Sequence, residues 1–175
     1  MSKHKYLVVY ASETGNTERV AKEIYSAIHS EEKELLQIRN WNGQSDGDIY
    51  FIGFWVNHSS CSIEIMDLLL SLHGKTVALF GTCGMGDSPA YHKLLENQIL
   101  AFLPSDNRYM GAYFCRGKMS PEIRQSYDRF RGDKAATWEK MMQEYEASST
   151  HPDNQDLLRA NIFVDEVFHR IGIRK

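Results

Sequence analysis

Proline and cysteine are both scarce, four and three residues respectively out of 175. The cysteines, Cys61, Cys83 and Cys115, are odd in number and none stands in a Cys-x-x-Cys pair. A disulfide framework, a zinc motif and a dithiol motif are therefore not expected, and reduced thiols are the default. Long apolar runs are missing as well. Stretches such as Met66 to Leu72 fall far short of the ~20 residues that span a bilayer, and this one is broken by Asp67 and Ser71. Met1-Ser-Lys-His-Lys5 passes straight into Tyr6 to Tyr10, without the length or cleavage pattern of a secretory signal, so a cytoplasmic location is expected. Charge of one sign is also lacking: 20 basic against 23 acidic side chains leave a formal charge of -3. With no basic stripe, nucleic-acid binding, which depends on neutralising phosphates, is not expected.

What is present is ordinary globular material, 42% hydrophobic and 25% charged, outside the range of disordered chains. The length suits one domain, residues 1–175, and a domain of ~150 residues withdraws about 68 to 70% of its unfolded surface from water, enough for a substantial core without staples or structural metal. Lys5 to Ala11 is a nearly continuous apolar run, as expected of a strand covered on both faces in a parallel sheet. From Thr17 onward Val20, Ala21, Ile24, Tyr25, Ala27 and Ile28 recur at helical spacing. Further strands are expected at Glu34 to Ile38, Asp48 to Phe54, Thr76 to Gly81 and Tyr109 to Cys115, with helices at Ile63 to Leu72 and Tyr91 to Phe102 and a short or irregular connection between the second and third strands. Strands alternating with helices imply an α/β fold with right-handed crossovers. Beyond Ser120-Pro121, a serine cap with proline at the first helical position, the pattern is almost wholly helical, interrupted near Gly132 and restarting at Asp153 or Asn154. Trp138 and Met141 are core candidates there.

Between the first strand and its helix lies Ser12-Glu13-Thr14-Gly15-Asn16-Thr17, three hydroxyls and a glycine where a helix begins. Free N–H groups of a first helical turn, the helix dipole and close backbone approach at glycine make such a loop an anion trap. It contains no lysine, unlike a nucleotide-binding P-loop, so nucleoside triphosphate chemistry is disfavoured. Hydroxyls at a helix start also serve as simple caps, but one would suffice for that.

Val9-Tyr10-Ala11-Ser12-Glu13-Thr14-Gly15-Asn16-Thr17 resembles the phosphate loop of the flavodoxins. The resemblance implies a flavodoxin-like doubly wound five-stranded parallel sheet in the order 2-1-3-4-5, with a C-terminal helical extension, and FMN at the switch point of the sheet. It implies phosphate on Ser12, Glu13, Thr14, Gly15, Asn16 and Thr17 through hydroxyls and loop amides. The flavin ring is then expected between Phe54, Trp55, Val56 and Asn57 on one side and Thr82, Cys83, Gly84, Met85, Gly86 and Asp87 on the other, with amides at the two glycines approaching its polar edge. Residues 54–61 contain no glycine, where flavodoxins carry one whose peptide turns over on reduction, and Asn57 is the residue best suited to a left-handed backbone in its place.

The three cysteines fall at the carboxyl ends of strands and are expected to be small buried hydrophobes; His58 and His92 are expected to be solvated loop residues. Arg116-Gly117-Lys118-Met119 places two positive charges and an exposed methionine beside the same edge. No metal site is expected, and no catalytic residue is identified. The leading functional expectation is an electron carrier between a reductase and an acceptor protein. The alternatives are an FMN-dependent reductase of a small molecule such as a quinone or linear tetrapyrrole, and a flavin-free binding module.

Overall fold

In the computed structural model, which describes residues 4–132 and 134–172, the first apolar run forms β1 (Tyr6–Tyr10), and all five of its residues are buried. The reason is the period-two alternation of a strand between two cores. Tyr6, Val8 and Tyr10 enter one core while Leu7 and Val9 enter the other. β1 pairs in parallel with β2 (Lys33–Gln37) and β3 (Ile49–Trp55), β3 with β4 (Thr76–Cys83), and β4 with β5 (Arg108–Arg116). The sheet order is β2-β1-β3-β4-β5, the flavodoxin-like arrangement. β4 runs further than its apolar stretch, so that Thr82 and Cys83 belong to the strand rather than to the loop after it.

The helices α1 (Asn16–Ala27) and α6 (Asn154–Ile171) cover one face; α2 (Ile63–Ser71) and α3 (Pro89–Leu100) cover the other. Val20, Ala21 and Ile24 of α1 are fully buried against the sheet, each large side chain contributing roughly 1.5–3 kcal/mol. The connection between β2 and β3 is indeed irregular, a single 3-10 turn at Ile38–Asn40.

The helical segment after β5 divides in two. α6 is the closing helix of the sheet: Ala160, Val164 and Val167 are buried beside α1 and β5. Asp153 starts it as a reciprocal cap, its carboxylate accepting from Gln155 N–H at 2.8 Å and Asp156 N–H at 3.0 Å while Asp156 accepts from Asp153 N–H at 2.8 Å; such a cap contributes about 1 kcal/mol. The excess therefore sits between β5 and α6 rather than at the end of the chain. It consists of α4 (Pro121–Tyr127), a 3-10 turn at Asp128–Phe130 and α5 (Ala135–Ser148). This insertion is thinly packed. Trp138 and Met141 are half-buried, not core residues; the indole N–H reaches Asp128 at 3.4 Å and the Arg131 guanidinium lies 5.4 Å from the ring. The helical spacing is real, but α5 lies against α4 and the 3-10 turn, and neither residue enters the two core clusters of the sheet. Among the described residues no helix is long and apolar enough to cross a membrane.

Candidate functional site

At the carboxyl ends of the strands lies a cavity of about 370 Å³, within the range of small-molecule sites. The loop after β1 supplies Glu13, Thr14 and Asn16; the end of β3 and its loop supply Trp55, Val56 and Asn57; the end of β4 supplies Thr82, Cys83 and Gly84. A fourth wall comes from the start of the insertion, residues 117–120 and Ile123. Nine of the expected site residues thus converge on one cavity, while Ser12, Gly15, Thr17, Phe54, Met85, Gly86 and Asp87 do not line it.

Gly15 precedes α1 with φ +88°, and a Cβ there would meet nothing within 4 Å, so the left-handed backbone, not crowding, requires glycine. The N–H groups of the first turn of α1 have no intrahelical acceptor and open onto this loop. The Asn16 amide donates to Thr14 Oγ1 at 3.0 Å and to the Lys118 carbonyl at 2.9 Å. Both its protons are engaged, so Asn16 braces the loop. Thr14 Oγ1, having accepted from Asn16, keeps its own proton for a ligand in the cavity. Thr17 is fully buried and its hydroxyl lies 2.9 Å from that of Thr82, which ties α1 to β4; it is a structural link rather than a wall of the cavity. Ser12 is 8% exposed and its Oγ has no protein partner. An unpaired buried hydroxyl costs about 1–3 kcal/mol, and one beside an open helix start suits an anion. Ser12 borders a smaller recess of about 160 Å³ shared with Trp55, Arg39 and Ser62. These neutral donors fit a phosphate ester.

Phe54 is fully buried and stacks edge-on against Phe114, centroids 6.0 Å apart at 68°. Strand alternation turns it into the core and leaves Trp55 at the cavity. In the following turn, Asn57 and Ser60 exchange backbone hydrogen bonds of 2.9 Å, and His58 (φ 47°) and Ser59 (φ 63°) take the left-handed backbone. The expectation that Asn57 would do so is corrected. A two-residue turn of type I′ has positive φ at both central positions, and Asn57 stands at the corner before them.

The loop joining β4 to α3 is shaped by charges. Gly86 N–H donates to Glu144 Oε2 at 3.2 Å, so this amide is engaged with α5 and not free for a ligand. The same carboxylate accepts from Arg116 Nη1 at 2.6 Å. Arg116 Nε lies 3.7 Å from Asp87 Oδ2, and Asp87 Oδ1 lies 3.4 Å from His92 Nε2. Arg116 holds the Glu144 carboxyl below the usual carboxylate range; burial lowers the His92 imidazole, which packs 5.6 Å from the Phe114 ring. His92 is therefore half-buried, on α3 rather than in a solvated loop, whereas His58 is exposed. Met85 does not line the cavity and is 39% exposed. Met119, expected on the surface, is 5% exposed and lines the cavity. All three cysteines are buried, and burial pushes the Cys61 thiol up to about 11 and that of Cys83 to about 12. They remain protonated thiols at neutral pH. Gly117, Ser120, Ile123 and Glu144 are absent from the sequence-based site. The serine–proline helix start was visible, but nothing local reveals that the chain folds back across the strand ends.

A family model described as flavodoxin domain matches residues 7–165. The chain is 29% identical to the flavodoxin-like domain-containing protein BilS of Clostridioides difficile (strain CD3), over 97% of this chain and 99% of that protein. It is 26% identical to a protein of the same name from Clostridium symbiosum (strain WAL-14163), over 87% of this chain and 90% of the relative. Among solved structures, oxidised flavodoxin 1 from Bacillus cereus superimposes with a TM-score of 0.58 at 16% identity, covering 94% of this chain and 97% of that one. A Streptococcus pneumonia TIGR4 flavodoxin gives 0.58 at 14% identity, over 94% and 98% of the two chains.

Proposed function

The chain belongs to the flavodoxin domain family, and from that premise we propose that it binds FMN non-covalently at the strand-end cavity and passes electrons from a reductase to an acceptor in the cytoplasm. The observation that carries the reading is the state of the loop after β1: Thr14, with its oxygen already satisfied by Asn16, faces the cavity beside the open N-terminus of α1. Thr14 and the loop amides hold the phosphate, with Ser12 as a further donor. Trp55 and Val56 offer apolar surface to the ring, and Met119 adds to it. When bound, FMN supplies the redox chemistry; the protein orients it and sets its surroundings. No general acid is needed for electron transfer.

A specific feature supports a second reading, an FMN-dependent reductase of a small organic acceptor such as a quinone or linear tetrapyrrole. The insertion adds Met119 and Ile123 to the cavity wall, an apolar surface that a carrier docking through its bare flavin edge does not require. Purified protein that is yellow and releases FMN on heating supports the cofactor; colourless protein that also fails to take up added FMN overturns it. Thr14→Val is expected to weaken FMN binding roughly tenfold, the worth of one hydrogen bond to a charged group, with unfolding unchanged; an unaltered titration removes this hydroxyl from the binding site. Anaerobic mixing of reduced protein with small acceptors and with redox proteins separates the two readings. Rapid, saturable oxidation by one small molecule and slow transfer to proteins excludes the carrier.

A further inference from the structure

We propose that Glu144 is a positioning residue through which the insertion holds the β4–α3 loop as a wall of the cavity, so that the shape offered to the flavin is set from α5. The proposal rests on the reading that the cavity takes FMN.

The loop has few anchors of its own. Cys83 Sγ contacts the Gly86 carbonyl at 3.4 Å, and Ser88 caps α3 by accepting from Tyr91 N–H at 3.2 Å. Between those points Asp87 lies 3.4 Å from His92 Nε2 and 3.7 Å from Arg116 Nε, and the chain is held from the insertion at two places. Gly86 N–H donates to Glu144 Oε2 at 3.2 Å, a carboxylate itself fixed by Arg116 at 2.6 Å. Met119 Cγ sits 2.6 Å from where a Cβ on Gly84 would be, which leaves room for glycine alone. Met119 is in turn fixed within the insertion, its N–H donating to Ser148 Oγ at 3.2 Å and its sulfur accepting from Tyr127 O–H at 3.3 Å. The Arg116 and Glu144 side chains are only 15% and 25% exposed, so the pair is partly shielded from water, where such bonds are stronger than on an open surface. Since α5 buries little else, the same contacts that shape the loop anchor the helix.

The test uses Glu144→Ala, which removes both the charge and the acceptor, and Glu144→Gln, which keeps an acceptor for Gly86 but loses the negative charge that faces Arg116. Hydrogen exchange at the Gly86 amide, measured without added flavin, is expected to quicken roughly tenfold or more in Glu144→Ala and by less in Glu144→Gln. FMN affinity and the visible circular dichroism of bound FMN are expected to follow the same order, with rescue by glutamine. Glu139→Ala, exposed on the same helix, is expected to leave all three unchanged. Far-UV circular dichroism checks folding; if the alanine variant does not fold, Glu144→Gln and Glu144→Asp carry the comparison. Wild-type exchange at Gly86 in the folded variants overturns the proposal, as does a shift of equal size in Glu139→Ala. If the wild type takes up no FMN while the exchange order holds, the proposed function fails and the positioning of the loop by Glu144 stands.

Discussion

Along α1, Thr17, Val20, Ala21 and Ile24 are all fully buried against the sheet, whereas along α5 Ser148 is the one buried residue among those described. The loop after β1 and the insertion after β5 nonetheless line the same cavity, and the Asn16 amide joins them by donating to the Lys118 carbonyl at 2.9 Å. The helix behind the first wall is fixed by apolar burial, which is non-directional, and the loop before it by the Asn16 amide. The second is fixed by a few polar contacts, the Glu144–Arg116 pair among them, and pairs of this kind respond to ionic strength and pH. One half of the site thus leans on a helix that is part of the core, and the other on a helix held by a few polar contacts.

The largest expected effect tests the rigid side. Phe80 is fully buried, and its ring lies where a Cβ on Gly53 would fall, at 2.1 Å. Phe80→Ala should cost roughly 3–5 kcal/mol of stability, read as a fall in the urea midpoint with an unchanged slope. A loss below about 1 kcal/mol would show that the sheet tolerates cavities and would erase the contrast with the insertion.

The rigid wall was the legible one. In the segment from Val9 to Thr17, a buried strand, a hydroxyl-rich turn and an amphipathic helix follow one another within a few residues, so each signal is local. Strand alternation even separates Trp55 from Phe54, though the resemblance alone sets both beside the ligand. The opposite wall was not legible because its contacts are long-range: Glu144 reaches Arg116 across 28 positions and Gly86 across 58. Helical periodicity in residues 121–148 is the same whether a helix enters a core or leans on a loop. Met119 illustrates the consequence, since a methionine between lysine and serine gives no local sign that it will be buried.

A smaller effect lies where α1 is tied to β4. Thr17→Val leaves the buried Thr82 hydroxyl, now 2.9 Å from its partner, without a hydrogen bond, at a cost of about 1–3 kcal/mol. The double variant with Thr82→Val should be more stable than Thr17→Val alone, because no unpaired group remains. Additive losses in a double-mutant cycle would show that the two hydroxyls are not coupled.

Acid should act on the weaker wall first. The Glu144 carboxyl is depressed below its ordinary value of 4.5 by Arg116, with Lys140 adding to the effect. A lowered carboxylate contributes stability that is fully present above the ordinary value and is lost as pH falls through the depressed one. Protection of the Gly86 amide, corrected for intrinsic exchange, should be constant from neutral pH down to about 4.5 and decline below it, while amides of β1 remain protected. Simultaneous loss in both places would mean that the insertion and the sheet unfold as one unit.

The smallest expected effect is the sharpest statement of the difference. Trp138 is the largest side chain on α5, yet it is half-buried, with a 3.4 Å bond to Asp128 and a guanidinium 5.4 Å from its ring. A cation–π contact at an exposed site contributes about 0.5–1 kcal/mol, and a bond to a partly hydrated carboxylate adds little. Trp138→Ala should therefore cost under about 1 kcal/mol in global stability, less than Phe80→Ala although more atoms are removed. If the loss instead matches that of a buried aromatic, α5 carries a packed layer of its own, and the insertion is as much a part of the cooperative core as α1.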